Sequence, residues 1–84
     1  MRANILLHDK KTALAIAKMR LDNSYTETVL LQGLPDYVFG EVFEAILVYD
    51  EYNNKQYNWC VDEGEIMGWI IDPIFVQRVE VLDV

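Results

Sequence analysis

Val42-Phe43-Glu44-Ala45-Ile46-Leu47-Val48-Tyr49-Asp50-Glu51-Tyr52-Asn53-Asn54-Lys55-Gln56-Tyr57-Asn58-Trp59-Cys60-Val61-Asp62 is the stretch on which the reading of the chain turns. Two runs rich in β-branched and aromatic residues flank Asn53-Asn54, the pattern of a hairpin that turns at the asparagines. Two registers compete. A strict two-residue turn pairs Tyr52 with Lys55 and sets Val48 opposite Trp59. A three-residue loop, Asn53-Asn54-Lys55, pairs Tyr52 with Gln56 and sets Tyr49 opposite Trp59. The second gathers Phe43, Ala45, Leu47, Tyr49, Tyr57, Trp59 and Val61 on one face, and Glu44, Ile46, Val48, Asp50, Asn58, Cys60 and Asp62 on the other. A one-residue slip exchanges whole faces, so the cleaner segregation favours the three-residue loop and sends Tyr49, Tyr57 and Trp59 inward.

On the N-terminal side, residues 3–7 read as a short strand, and Asp9 is placed to cap a helix. That helix, Lys10 to Leu21, is rich in alanine and leucine. Leu14, Ala17 and Leu21, widened by Ala13 and Ile16, make its apolar stripe, and Lys11, Ala15, Lys18 and Asp22 its wet face. Lys10 and Lys11 stand at the wrong end of the helix dipole, which costs about 0.3–1 kcal/mol each, less than the packing of the stripe. Asn23 suits the left-handed position that stops the helix. Tyr25 to Gln32 alternates like a second strand. Gly33-Leu34-Pro35-Asp36 breaks it, Tyr37-Val38-Phe39 opens the next element, and Gly40 predicts a bulge or a close backbone approach.

Beyond the hairpin, Asp62-Glu63-Gly64-Glu65 reads as a turn with Gly64 supplying the permissive backbone. Ile66 to Ile71 reads as a short strand interrupted by Gly68, and Asp72-Pro73 as a turn. Ile74 to Val84 reads as the last strand, with Phe75, Val79 and Val81 toward the core, Gln77 facing inward or marking a bulge, and Arg78 and Glu80 outward. The expected fold is two-layer α+β: one N-terminal helix packed on a mainly antiparallel sheet of four to five strands containing the 42–62 hairpin, all in a single domain over residues 1–84.

Composition narrows the function. The 84 residues are 52% hydrophobic and 12% aromatic, enough for a compact core at this length. One cysteine allows no intrachain disulfide. Ile5-Leu6-Leu7 is too short for the core of a signal peptide, and no apolar run approaches a membrane span, so the cytoplasm is the expected location. The net charge of −7 is unevenly spread. Residues 1–35 carry a net +2 and residues 36–84 a net −9. Direct binding of nucleic acid is disfavoured, because phosphate contact needs clustered Lys and Arg, and a basic protein is the natural complement.

The residue inventory argues against most catalytic and metal chemistry. A nucleophile needs a base within hydrogen-bond reach, and His8 and Cys60, the lone histidine and cysteine, meet only if the first strand lies beside the 55–62 strand. One His and one Cys do not build a four-ligand zinc site. Asp62, Glu63 and Glu65 match no EF-hand spacing and read as a solvated acidic turn. The glycines at 33, 40, 64 and 68 form neither a dinucleotide fingerprint nor a P-loop. No cofactor is expected.

What stands out is aromatic side chains interleaved with acids. Asp50, Glu51, Tyr52, Asp62, Glu63, Glu65 and Trp69 are the candidate partner-binding residues, suited to Lys- and Arg-bearing surfaces through charge steering and cation–π contact. The expected function is a non-enzymatic acidic interaction module, such as an inhibitor, immunity or adaptor protein. The alternatives are a small-molecule or catalytic domain with a pocket between helix and sheet, and a homo-oligomer joined through an open sheet edge such as the last strand.

Overall fold

A computed structural model describes residues 1–21 and 24–82. In chain order the elements are β1 (Arg2–Leu7), α1 (Lys10–Arg20), α2 (Glu27–Leu30), a 3-10 turn at Asp36–Val38, β2 (Val42–Asp50), β3 (Gln56–Val61), β4 (Ile70–Ile71), a second 3-10 turn at Pro73–Phe75, and β5 (Val76–Val81). The strands form one antiparallel sheet in the order β4-β3-β2-β1-β5. The helices pack on one face of it, the two-layer α+β arrangement that the patterning implies.

The hairpin pairs Leu47 with Trp59, Tyr49 with Tyr57 and Asp50 with Gln56. Its loop therefore runs from Glu51 to Lys55 and is longer than the expected Asn53-Asn54-Lys55. The Asp50 carboxylate causes this: Oδ1 accepts from the backbone N–H groups of Tyr52 (3.2 Å) and Asn53 (3.0 Å), winding the chain into a wider turn. Lys55 closes the turn at φ 51°. The expected register is displaced by two positions, and a slip of two preserves parity, so both faces come out as the alternation implies. Trp59 is buried at 5% exposure. Tyr49 and Tyr57, expected inward, are instead 54% and 57% exposed. They lie on the helix-side face, but the hairpin projects past the start of β1, where Leu47 N–H bonds the Met1 carbonyl at 2.8 Å. With little above them, the two rings cover each other edge-on at a centroid distance of 5.2 Å.

Asp9 caps α1 as expected, its carboxylate accepting from the Thr12 N–H at 2.8 Å. Ala13 and Ala17 are the fully buried residues of the helix, and Lys11, Ala15 and Lys18 are exposed. Leu21 leaves the expected apolar stripe: the chain there is already extended and the side chain is exposed. The unfavourable Lys10 at the helix start is offset by ion pairs with Asp36 (3.0 Å) and Glu27 (3.6 Å). The expected stop at Asn23 and the wet-face assignment of Asp22 lie outside the described residues.

The strand expected at Tyr25 to Gln32 is α2. Thr26 caps it, Oγ1 accepting from Val29 N–H at 3.3 Å. Adjacent Leu30 and Leu31 are both buried, which a helical turn allows and an alternating strand does not. Tyr37-Val38-Phe39 likewise forms a 3-10 turn with the bend continuing through Gly40 (φ 81°), and the strand starts only at Val42. The expected Ile66–Ile71 strand shrinks to Ile70–Ile71, because Gly64 and Gly68, both at positive φ, hold residues 65–68 in turns.

At the other edge, of the two readings open for Gln77, the bulge is the one present: Leu6 pairs with Arg78 and Leu7 with Val76, skipping one residue. The core-side expectation holds for Phe75, which is fully buried, but not for Val79 and Val81, 42% and 55% exposed. The buried cluster draws on β1, β2, β3 and β4, and takes from β5 only a partly buried Val76. The rest of the expected strand, residues 83–84, lies outside the described residues.

The link from β4 to β5 reveals the curvature of the sheet. In a flat sheet, strands four places apart would stand about 19 Å from each other. From Ile71 to Val76, with a 3-10 turn between, the chain reaches only about 14 Å. The sheet is therefore coiled. Phe75 marks the crossing: its carbonyl accepts from the His8 N–H at 2.9 Å, and its ring meets Phe39 edge-on at 6.4 Å.

Candidate interaction surface

The sheet face turned away from the core follows from the strand registers. One cross-strand row holds Glu80, Asn4 and Glu44, and continues to Asp62, whose N–H bonds the Glu44 carbonyl at 2.9 Å. The next row holds Arg2, Ile46, Cys60 and Ile70. On the other side of the acidic row lie Arg78, Leu6 and Val42. Ile70 and Val42 are exposed and Ile46, Cys60 and Leu6 half-buried, so this face presents an acidic row bordered by rows that are apolar apart from Arg2 and Arg78. Arg2 reaches Asp62 at 3.2 Å across it, an ion pair open to solvent on both sides.

The outer face changes character toward the hairpin tip, where carboxamides replace apolar side chains. Asn58 is the hub and is 1% exposed. Its Oδ1 accepts from Gln56 Nε2 (3.0 Å) and Asn54 Nδ2 (3.2 Å), and its Nδ2 donates to Asn54 Oδ1 (3.0 Å) and Asp50 Oδ2 (3.5 Å). Beside it opens a pocket of about 360 Å³, lined by Gln32, Asp50, Asn53, Asn54, Asn58, Ile70 and Asp72. The Asn53 backbone N–H, then its side chain, and the Tyr52 N–H hold the Asp50 carboxyl below the usual carboxylate range.

The candidate residues fall into two groups at opposite ends of β3, about 17–20 Å apart along a six-residue strand. At the tip, Tyr52 is 91% exposed and Glu51 is exposed, while Asp50 is committed to the turn. At the far end, Asp62 pairs with Arg2, and Glu63 Oε1 accepts from the Glu44 N–H at 2.9 Å, standing in for a ladder bond. Glu65 is exposed and Trp69 is 38% exposed. Sequence reading missed Glu80 and Asn54. Alternation had placed Glu44 and Asn58 on this face, but only the pairing of β1 with β5 brings Glu80 into line with Glu44.

β2 lies between β1 and β3, so His8 at the end of β1 and Cys60 on β3 are not neighbours. The caps formed by the Thr12 backbone and side chain lower the Asp9 carboxyl. The Asp36 hydrogen bond and charge, with Glu27, raise the Lys10 ammonium. Each of these shifts, like that of Asp50, holds its group in the ordinary charged form. A second pocket of about 270 Å³ lies where α1 begins, lined by Lys10, Glu27, Thr28, Leu31 and Asp36 among others, and the Lys10 ion pairs occupy its charged groups. Among the described residues, no three His, Cys, Asp or Glu side chains converge as metal ligands, and no helix is long and apolar enough to cross a membrane. Comparison with protein-family models, curated proteins and solved structures finds no match.

Proposed function

We propose that the chain is a non-enzymatic interaction module of the inhibitor, immunity or adaptor kind, docking a basic protein surface on its outer sheet face. The observation that carries this reading is the row of Glu80, Glu44 and Asp62 bordered by the apolar row of Ile46, Cys60 and Ile70. Acids steer a Lys- or Arg-rich partner and fix its orientation, and the neighbouring apolar groups supply contact area that excludes water. The exposed face of α1 bears Lys11, Lys18 and Arg20, so the charge asymmetry of the sequence becomes a polarity across the fold that orients an approaching partner.

The test compares the wild type with Glu44→Lys/Glu80→Lys as baits for cellular proteins, with melting curves confirming that both fold. Basic proteins are expected on the wild-type bait alone and are released as salt shortens the screening length toward about 3 Å at 1 M. A partner that stays bound to both baits at high salt refutes docking through this face.

A further inference from the structure

We propose that β5 is the contact strand of a symmetric dimer, in which the β5 strands of two copies pair antiparallel and join their sheets. This inference uses the sheet edge, shares Glu80 with the acidic row, and does not rest on the docking of a basic partner.

Among the described residues β5 ends the sheet, with β1 as its one strand neighbour, and five of its six residues are exposed. The direction of its backbone groups is known from the ladder. Leu82 N–H bonds the Arg2 carbonyl at 2.9 Å, so Leu82, Glu80 and Arg78 turn their N–H and C=O groups toward β1. Val79 and Val81 therefore turn theirs outward, to the open edge. Natural edges are blunted by charged side chains, lysine above all, by proline, by a bulge or by a covering element. Here residues 78–81 carry neither lysine nor proline, the bulge lies at the far end, at Gln77, and the two charges present, Arg78 and Glu80, are of opposite sign and can complement those of a second copy.

Registers centred on residues 78, 79 and 80 bring outward-pointing groups face to face, and the charges choose among these three. Val79 opposite Gln77 sets Arg78 against Arg78, and Val79 opposite Val81 sets Glu80 against Glu80. Val79 opposite Val79 sets Arg78 of each copy against Glu80 of the other, twice, on the outer face. In that register the two Val79 residues exchange both backbone hydrogen bonds across the two-fold axis. The Arg78–Glu80 positions then form the closer, non-hydrogen-bonded pairs, where cross-strand charges interact best. The exposed Val79 side chains meet on the helix side. Val81 falls opposite Gln77, where the bulge ends the pairing. The joined sheet ends at β4 on both sides, a strand of two residues, so the assembly closes at two copies.

Sedimentation velocity over a concentration series, up to millimolar protein, tests the proposal. A reversible monomer–dimer equilibrium is expected. Arg78→Glu alone, or Glu80→Arg alone, sets like charges opposite each other and weakens dimerisation by about tenfold or more. The double exchange Arg78→Glu/Glu80→Arg restores it. All three changes fall on exposed side chains, and circular dichroism confirms that each variant folds. A chain that stays monomeric at millimolar concentration overturns the proposal, as does a dimer indifferent to the single reversals or one that the double exchange does not restore.

Discussion

Replacing Asn58 by Asp changes one side-chain group at the most enclosed polar position of the outer face. The amide Nδ2 of Asn58 donates to Asn54 Oδ1 at 3.0 Å and lies 3.5 Å from Asp50 Oδ2. An oxygen there loses both donations and places a second carboxylate against the first. At an effective dielectric of about 20, two charges 3.5 Å apart repel by about 5 kcal/mol. The new carboxyl escapes part of this by holding its proton. With its folded pKa raised in this way, the remaining cost at neutral pH is about 3 kcal/mol. The sign follows from linkage: a carboxyl raised in the folded state costs nothing below its unfolded pKa, and the loss grows as pH rises to the folded value. Urea titrations followed by the fluorescence of buried Trp59, at pH steps from about 4 to 8, should show Asn58→Asp close to the wild type at the acid end and about 3 kcal/mol less stable at the neutral end. Asn58→Ala is the control, with a loss of about 1–3 kcal/mol that does not depend on the ionisation of residue 58. An Asn58→Asp protein within about 0.5 kcal/mol of the wild type at neutral pH, or equally damaged at both ends, would refute the carboxamide hub as described.

Phe75→Ala empties a fully buried position beneath the β4–β5 crossing and should cost about 3–5 kcal/mol in chemical denaturation, a large share of the stability of a domain this small. Thr26→Ala removes the cap of α2 and should cost about 1 kcal/mol in the same assay, whereas a strand at this position would be indifferent to the loss of that bond. Asp50→Asn tests the turn through pH. Because the Asp50 carboxyl is lowered on folding, its stabilisation is present above the unfolded value of 3.8 and is lost as pH falls through the folded one. Thermal melts should therefore show the wild type more stable than Asp50→Asn at about pH 6, with the gap closing toward pH 2.

Residues 42–62 divide correctly into their two faces, though not into strand and loop. Alternation assigns both hairpin faces, and Asp9 and the bulge at Gln77 are legible from capping and strand rules, because each depends on residues close in sequence or on a period of two. The loop length was misread because the Asp50 carboxylate captures two backbone N–H groups, a bond that β-propensity does not register. Residues 25–32 were misread for a similar reason, since one threonine cap and two adjacent buried leucines outweigh a strand-like alternation. The row of acids could be seen only in part, as Glu44 and Asp62 on one face of the hairpin. Glu80 and Glu44 are brought together only by the insertion of β1 between β2 and β5, a pairing between strands far apart in the chain. Tertiary structure alone decided that the hairpin outruns the helical layer, leaving Tyr49 and Tyr57 to cover each other, and that β5 lies at an edge with Val79 and Val81 uncovered. The sequence by itself determined which side of each hairpin strand is apolar. Which apolar sides are covered depends on where the helices and the chain ends fall in space, and no local pattern carries that information.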